Sequence, residues 1–185
     1  MFLRAIAVFV VFLGIGTVVA HSDTIGLYND SSGMDCNITD VSPLKLVYVV
    51  HITSGNVTAS EFSAPKPACW TNAVWLSDTE AFEMPGTSQT GKSIGYGVCI
   101  TVPRAIHILT INYFVQGSSP PCCLYPLRGH PYGDPDHPMV ADCNNQGHPA
   151  QGLVATINGD ATCPCGYPVP VEETTWGRVK ALYTE

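Results

Sequence analysis

Leu44-Lys45-Leu46-Val47-Tyr48-Val49-Val50-His51-Ile52-Thr53-Ser54-Gly55-Asn56-Val57-Thr58-Ala59-Ser60-Glu61-Phe62 carries the fold class. Leu44, Leu46, Tyr48, Val50 and Ile52 recur at every second position, with Lys45 and His51 on the alternate face, so residues 44–52 are expected to form a half-buried strand. Ser54-Gly55-Asn56 suits a tight turn, and 57–62 then reads as the returning arm of a hairpin.

The same grammar repeats downstream of this stretch. Pro65 and Pro67 interrupt pairing, and a short strand is expected over 70–76. Runs at 94–102 and 105–115 are split by Pro103-Arg104. The second is apolar on both faces apart from His107, Thr110 and Asn112, as a central buried strand should be. Residues 139–142 and 152–158 supply two more runs, the latter ending in the turn signal Asn158-Gly159-Asp160. Between the 105–115 and 139–142 runs, 116–137 is dense in Pro, Gly and Ser and reads as a long loop, the place where a site is first sought. Apolar recurrence at helical spacing is confined to the tail, where Trp176, Val179, Leu182 and Tyr183 predict a short C-terminal helix after a linker beginning at Val169. The expected architecture is all-β: an antiparallel β-sandwich with a short C-terminal helix, stabilised by disulfides.

The N-terminus addresses the compartment. Arg4 precedes an apolar run over 5–19, and Val18 and Ala20 give a small-residue cleavage pattern, so residues 1–20 are expected to be a signal peptide. The domain then covers 21–168, and no membrane span is expected after cleavage. Cleavage removes Arg4 and no acidic residue, taking the formal charge from −7 to −8, and no basic cluster opposes that charge. Nucleic acid is therefore not an expected partner. A secreted, periplasmic or cell-envelope location is expected.

All eight cysteines, Cys36, Cys69, Cys99, Cys122, Cys123, Cys143, Cys163 and Cys165, follow the leader, and their even number favours complete pairing. Adjacent Cys122 and Cys123 lie too close to bridge each other and need different partners, as do Cys163 and Cys165, which would face one way in an extended chain. Cys99 is assigned to Cys122 or Cys123, and Cys143 to Cys163 or Cys165.

Gly86-Thr87-Ser88-Gln89-Thr90-Gly91-Lys92-Ser93 fits the phosphate-loop pattern. That loop works only between a buried strand and a helix N-terminus, and neither neighbour is present in the sequence, so no nucleotide is expected. His130, Asp134, Asp136, His137, Asp142 and His148 are the candidate metal ligands, although their spacing matches no zinc or calcium pattern. No nucleophile elbow or carboxylate pair stands out, so catalytic residues are not assigned and no cofactor is expected. Among the aromatic residues, Tyr125 and Tyr132 of the Pro/Gly-rich loop are the candidate ligand contacts. Asn29, Asn37 and Asn56 head glycosylation acceptor triplets.

Ile25-Gly26-Leu27-Tyr28, Leu109 to Phe114, Asp160-Ala161-Thr162-Cys163-Pro164-Cys165 and the tail Pro170-Val171-Glu172-Glu173-Thr174-Thr175-Trp176-Gly177-Arg178-Val179-Lys180-Ala181-Leu182-Tyr183 together resemble uncharacterised exported proteins of uncultivated bacteria. That resemblance implies export and a bacterial source, and brings no activity with it. The strand pattern is also similar to Ig-like and cohesin-like sandwiches, which bears on fold and not on function. The leading expectation is a non-catalytic secreted or envelope module that binds a protein or glycan at the cell surface. Its rivals are a small secreted hydrolase or metal-binding protein using the 130–148 loop, and a self-assembling structural subunit.

Overall fold

The structure is a computed structural model that describes residues 23–40, 43–80 and 84–167. The expected leader and terminal helix lie outside the described residues. Within them the chain forms strands and no helix: β1 (Thr24–Tyr28), β2 (Asn37–Ile38), β3 (Leu44–Thr53), β4 (Val57–Phe62), β5 (Ala73–Thr79), β6 (Gly86–Thr87), β7 (Gly91–Ile100), β8 (Arg104–Val115), β9 (Cys123–Pro126), β10 (Met139–Asp142), β11 (Gly147–Pro149), β12 (Gln151–Gly152) and β13 (Val154–Ile157). One sheet has the order β12-β1-β3-β8-β5, a second β11-β10-β4-β7-β6, and a three-stranded sheet β2-β13-β9 completes the fold.

The backbone of the first sheet is the antiparallel β3–β8 pair, in register from Leu44 opposite Phe114 to Thr53 opposite Arg104. β8 is paired on both sides, as its two apolar faces require. Val47, Val49, Ile111 and Tyr113 face inward and pack with Ile25, Leu27, Val57, Phe62, Ile94 and Val140 in a shared core.

Two expectations about the opening stretch are corrected. β3 and β4 do not form a hairpin: β3 is flanked by β1 and β8, whereas β4 lies in the other sheet between β10 and β7. Gly55 and Asn56 do take left-handed conformations, with φ of 102° and 65°. Both edges of β3 are already occupied, so the turned chain crosses to the opposite layer. The faces are also reversed. Leu44 and Ile52 are exposed, whereas Val47, Val49 and His51 point inward. Every position from Leu46 to Val50 is apolar, so alternation there does not select a face. His51 is fully buried, with Nδ1 2.6 Å from the Tyr96 hydroxyl on β7, a polar link between the layers. Burial pushes its pKa down, against the opposing pull of Asp23.

The 116–137 segment is not wholly a loop, because it contains β9, which pairs with β13. The four disulfides are Cys36–Cys165, Cys69–Cys123, Cys99–Cys143 and Cys122–Cys163. Adjacent Cys122 and Cys123 do take different partners, and so do Cys163 and Cys165. The assigned partners of Cys99 and Cys143 are corrected, since these two join each other. Val57, the first residue of β4, is in register with Ile100 on one side and Asp142 on the other. Cys99 and Cys143 thus flank the start of β4 and bridge around it, a proximity that sequence separation does not reveal.

Candidate binding face

The outer face of the second sheet carries small side chains at its centre. Along β4, β7 and β10 the inward row contains Ser60, Ile94 and Val140, and the alternate positions are Ala59, Glu61, Ser93, Gly95, Met139 and Ala141. Small side chains at the centre of three adjacent strands leave an open groove of about 550 Å³, with Met84 and Met139 as apolar walls.

The other wall is the loop where a metal site was sought. A side chain at Gly133 would sit 2.2 Å from Glu61 Oε1, so glycine lets the loop backbone rest on β4. His130 lies across Gly91, which has no room for a Cβ beneath the imidazole, and its Nδ1 is 3.5 Å from Glu61 Oε1. Asp134 Oδ1 accepts from the backbone N–H groups of Asp136 at 2.9 Å and His137 at 3.1 Å. Asp142 Oδ1 accepts from the N–H groups of Asn144 and Gln146, both at 2.8 Å, and its Oδ2 lies 3.4 Å from His148 Nε2. The Gln146 N–H bond is the largest cause of its lowered pKa, opposed by desolvation and aided by Asn144 and His148.

The six candidate ligands therefore divide among local turns: Asp134 with the backbone of Asp136 and His137, Asp142 with His148, and His130 with Glu61. They do not bring three ligand atoms to one point. Among the described residues the one trio that does is Cys122, Asp160 and Cys163, and there the two sulfurs are bonded to each other. A disulfide offers no thiolate to a metal.

The two candidate aromatic contacts part company. Tyr125 is corrected to a core residue: it is fully buried, its hydroxyl lies 2.6 Å from that of Tyr113, and it donates to Ala64 O at 2.8 Å. Trp70 packs on both tyrosines. Tyr132, 90% exposed, remains at the surface with its ring 6.0 Å from that of His130.

The phosphate-loop letters have a structural explanation. β6 and β7 form a hairpin, with Gly86 opposite Lys92 and Thr87 opposite Gly91. The Lys92 ammonium is buried and donates to Glu80 Oε1 at 2.6 Å, Met84 O at 2.7 Å and Gly86 O at 3.1 Å. Its three donors are consumed by Glu80, Met84 and Gly86, and Met84 lines the groove.

A second apolar surface lies on the opposite side of the molecule. Leu44, Phe114 and Val74 are exposed and in register across β3, β8 and β5.

Chains of known structure share this architecture. The sixth cohesin of scaffoldin B from Acetivibrio cellulolyticus, solved in complex with a mutant Cel5 dockerin, superimposes with a TM-score of 0.50 at 10% identity, covering 75% of this chain and 99% of that one. The fold is cohesin-like. Two further cohesins align less closely. The module from a family 33 glycoside hydrolase of Clostridium perfringens gives a TM-score of 0.47 at 9% identity, over 75% of this chain and 98% of that one. The non-cellulosomal cohesin of the archaeon Archaeoglobus fulgidus gives 0.44 at 11% identity, over 89% and 99%. No family model matches the chain, and no curated protein matches it in sequence.

The groove residues were not singled out in the sequence. Ala59, Ser93, Gly95 and Ala141 are unremarkable one at a time and become a site only when β4, β7 and β10 are set side by side.

Proposed function

We propose that this protein is a secreted or cell-envelope module that binds a protein partner, without catalysis, on the outer face of the β10-β4-β7 strands. The observation that carries the reading is the groove itself: an open face floored by Ala59, Ser93, Gly95 and Ala141 and walled by Met84 and Met139. Flexible methionine walls over a floor of small residues suit an apolar protein element laid across the strands. A glycan would favour rings lining the site, and among the described residues no aromatic side chain lines the groove, although Tyr132 is exposed on the adjoining loop. The cohesin that shares the fold was solved with a protein bound, which supports the same class of partner here. Export is supported by the leader-like residues 1–20 and by four disulfides, which persist in oxidising compartments.

The exposed row of Leu44, Phe114 and Val74 favours a second reading, in which copies associate through the first sheet. One experiment separates them. Wild-type protein, Ala141→Arg and Val74→Glu are used as bait against native envelope extract, and each is sedimented alone. A partner retained by Val74→Glu and lost by Ala141→Arg supports the groove. A dimer dissolved by Val74→Glu, with no groove-dependent partner, supports self-association instead.

A further inference from the structure

Lys45, Asn29 and Asp35 meet at one end of the first sheet. Lys45 begins the inward row that continues through Val47 and Val49 on β3, and lies in register with buried Tyr113. Asn29 follows β1 and extends the inward row of Ile25 and Leu27, so the two side chains lie diagonally across neighbouring antiparallel strands. Lys45 Nζ donates to Asn29 Oδ1. On the other side of the same amide, Asn29 Nδ2 donates to Asp35 Oδ2 at 2.9 Å.

The carboxylate is held in place. Asp35 Oδ1 accepts from Asn37 N–H at 2.9 Å, its carbonyl accepts from Asn29 N–H at 2.7 Å, and its own N–H donates to Asp30 Oδ2 at 2.6 Å. An amine thus sits at an amide carbonyl while a carboxyl group sits at the nitrogen that would leave.

We propose that Lys45 and Asn29 become joined by an intramolecular isopeptide bond, with Asp35 carrying the proton. The neutral Lys45 amine attacks Asn29 Cγ, forming the Nζ–Cγ bond. The carboxyl group of Asp35 relays the proton lost from Nζ to Nδ2, the Cγ–Nδ2 bond breaks, and ammonia leaves. Amine and amide become amide and ammonia, so no oxidant or activated co-reactant is needed. Holding the reacting groups in contact supplies the effective concentration that the uncatalysed reaction lacks. Burial lowers the pKa of Lys45 and favours the neutral amine, against the opposing charges of Asp35 and Asp40. The product would tie β1 to β3 by a bond that reducing agents leave intact.

The test is the intact mass of the full mature protein, reduced and denatured. The expected mass is lower than the sequence mass by one ammonia, and trypsin should not cut after Lys45. Cleavage before Asp30, Asp35 and Asp40 separates Asn29 from Lys45 in sequence, so the two fragments should emerge linked. Lys45→Arg keeps the positive charge and should restore the full mass, while Asp35→Asn should leave most of the chains unjoined. The full sequence mass in wild type would overturn the proposal. So would ammonia loss confined to an unlinked fragment that spans Asn29-Asp30, which marks a cyclic imide. A link formed equally well in Asp35→Asn would overturn the role given to that carboxyl group. The mass requires only the purified chain, so its outcome is independent of partner binding.

Discussion

The indole N–H of Trp70 donates to Asp40 Oδ2 at 3.0 Å, and both residues are fully buried. Asp40 also accepts from Asn158 Nδ2 at 2.6 Å, Ser119 N–H at 3.1 Å, Ser118 Oγ at 3.2 Å and the Ser119 hydroxyl. One carboxylate therefore gathers the segment after β2, the turn before β5, the loop after β8 and the turn after β13. A buried charge is tolerated only when it is satisfied in this way.

Asp40→Ala should cost about 3 kcal/mol, because it strands the indole N–H and the Ser119 amide in the interior. Urea unfolding at neutral pH measures it. Unchanged stability would show that these donors find other partners.

The same carboxylate gives an acid dependence. Burial pushes the Asp40 pKa up, but the bonds from Ser119, Asn158 and Trp70 outweigh it and hold the value at about 2, below the ordinary 3.8. A lowered folded-state pKa contributes stability above the unfolded-state value and loses it as the pH falls. The contribution of about 2 kcal/mol should disappear between roughly pH 4 and pH 2. Stability curves of wild type and Asp40→Ala should converge across that window.

At the alkaline end the sign reverses. Burial raises the Tyr113 pKa to about 12, with hydrogen bonds to Tyr125 and Gln89 acting against it, and Tyr125 is likewise pushed well up by burial and by Tyr113. Neutral phenols are favoured in the folded state, so stability present below the unfolded-state value of 10.0 should fall as the pH rises from there toward 12. Tyrosine absorbance should show these two rings ionising together with unfolding. Their ionisation in a chain that keeps its native circular dichroism would contradict the buried pair.

Replacing Cys99 and Cys143 by Ser should destabilise the protein by about 3 kcal/mol, chiefly by freeing the unfolded chain. Thermal unfolding without reductant checks this, and peptide mapping of the wild type should recover all four assigned pairs. A Cys99 peptide linked to Cys122 or Cys123 would overturn the layout.

Lys92→Met removes the ammonium that holds Glu80 and two carbonyls, leaving the half-buried Glu80 carboxylate without its cation and with the Met84 N–H as its remaining donor. A loss of about 3 kcal/mol is expected, while ATP with Mg²⁺ should leave the melting temperature of the wild type unchanged. A nucleotide-dependent rise in wild type would revive the phosphate-loop reading.

The layered β architecture was legible because alternation and turn residues are local. Strand layer and disulfide partner were not. Ser54-Gly55-Asn56 announces a reversal without saying that β3 has no free edge for β4, and the all-apolar run from Leu46 to Val50 hides which face is buried. Cys99 and Cys143 meet because both flank Val57, a relation created by sheet order. The groove was invisible for the same reason, since its floor consists of small residues from separate strands. Tyr125 was misread because its Pro/Gly-rich surroundings suggest a surface loop, while β9 carries its ring into the core.

The methionine methyl groups offer the most direct measurement. Met84 and Met139 line the groove, whereas Met34, 85% exposed, lies in the segment whose Gly33 packs on Val50. With methyl-labelled methionine, adding the captured partner should shift the Met84 and Met139 resonances and leave Met34 in place. A shift confined to Met34, or none at all on saturation, would contradict partner binding on the outer face of β10, β4 and β7.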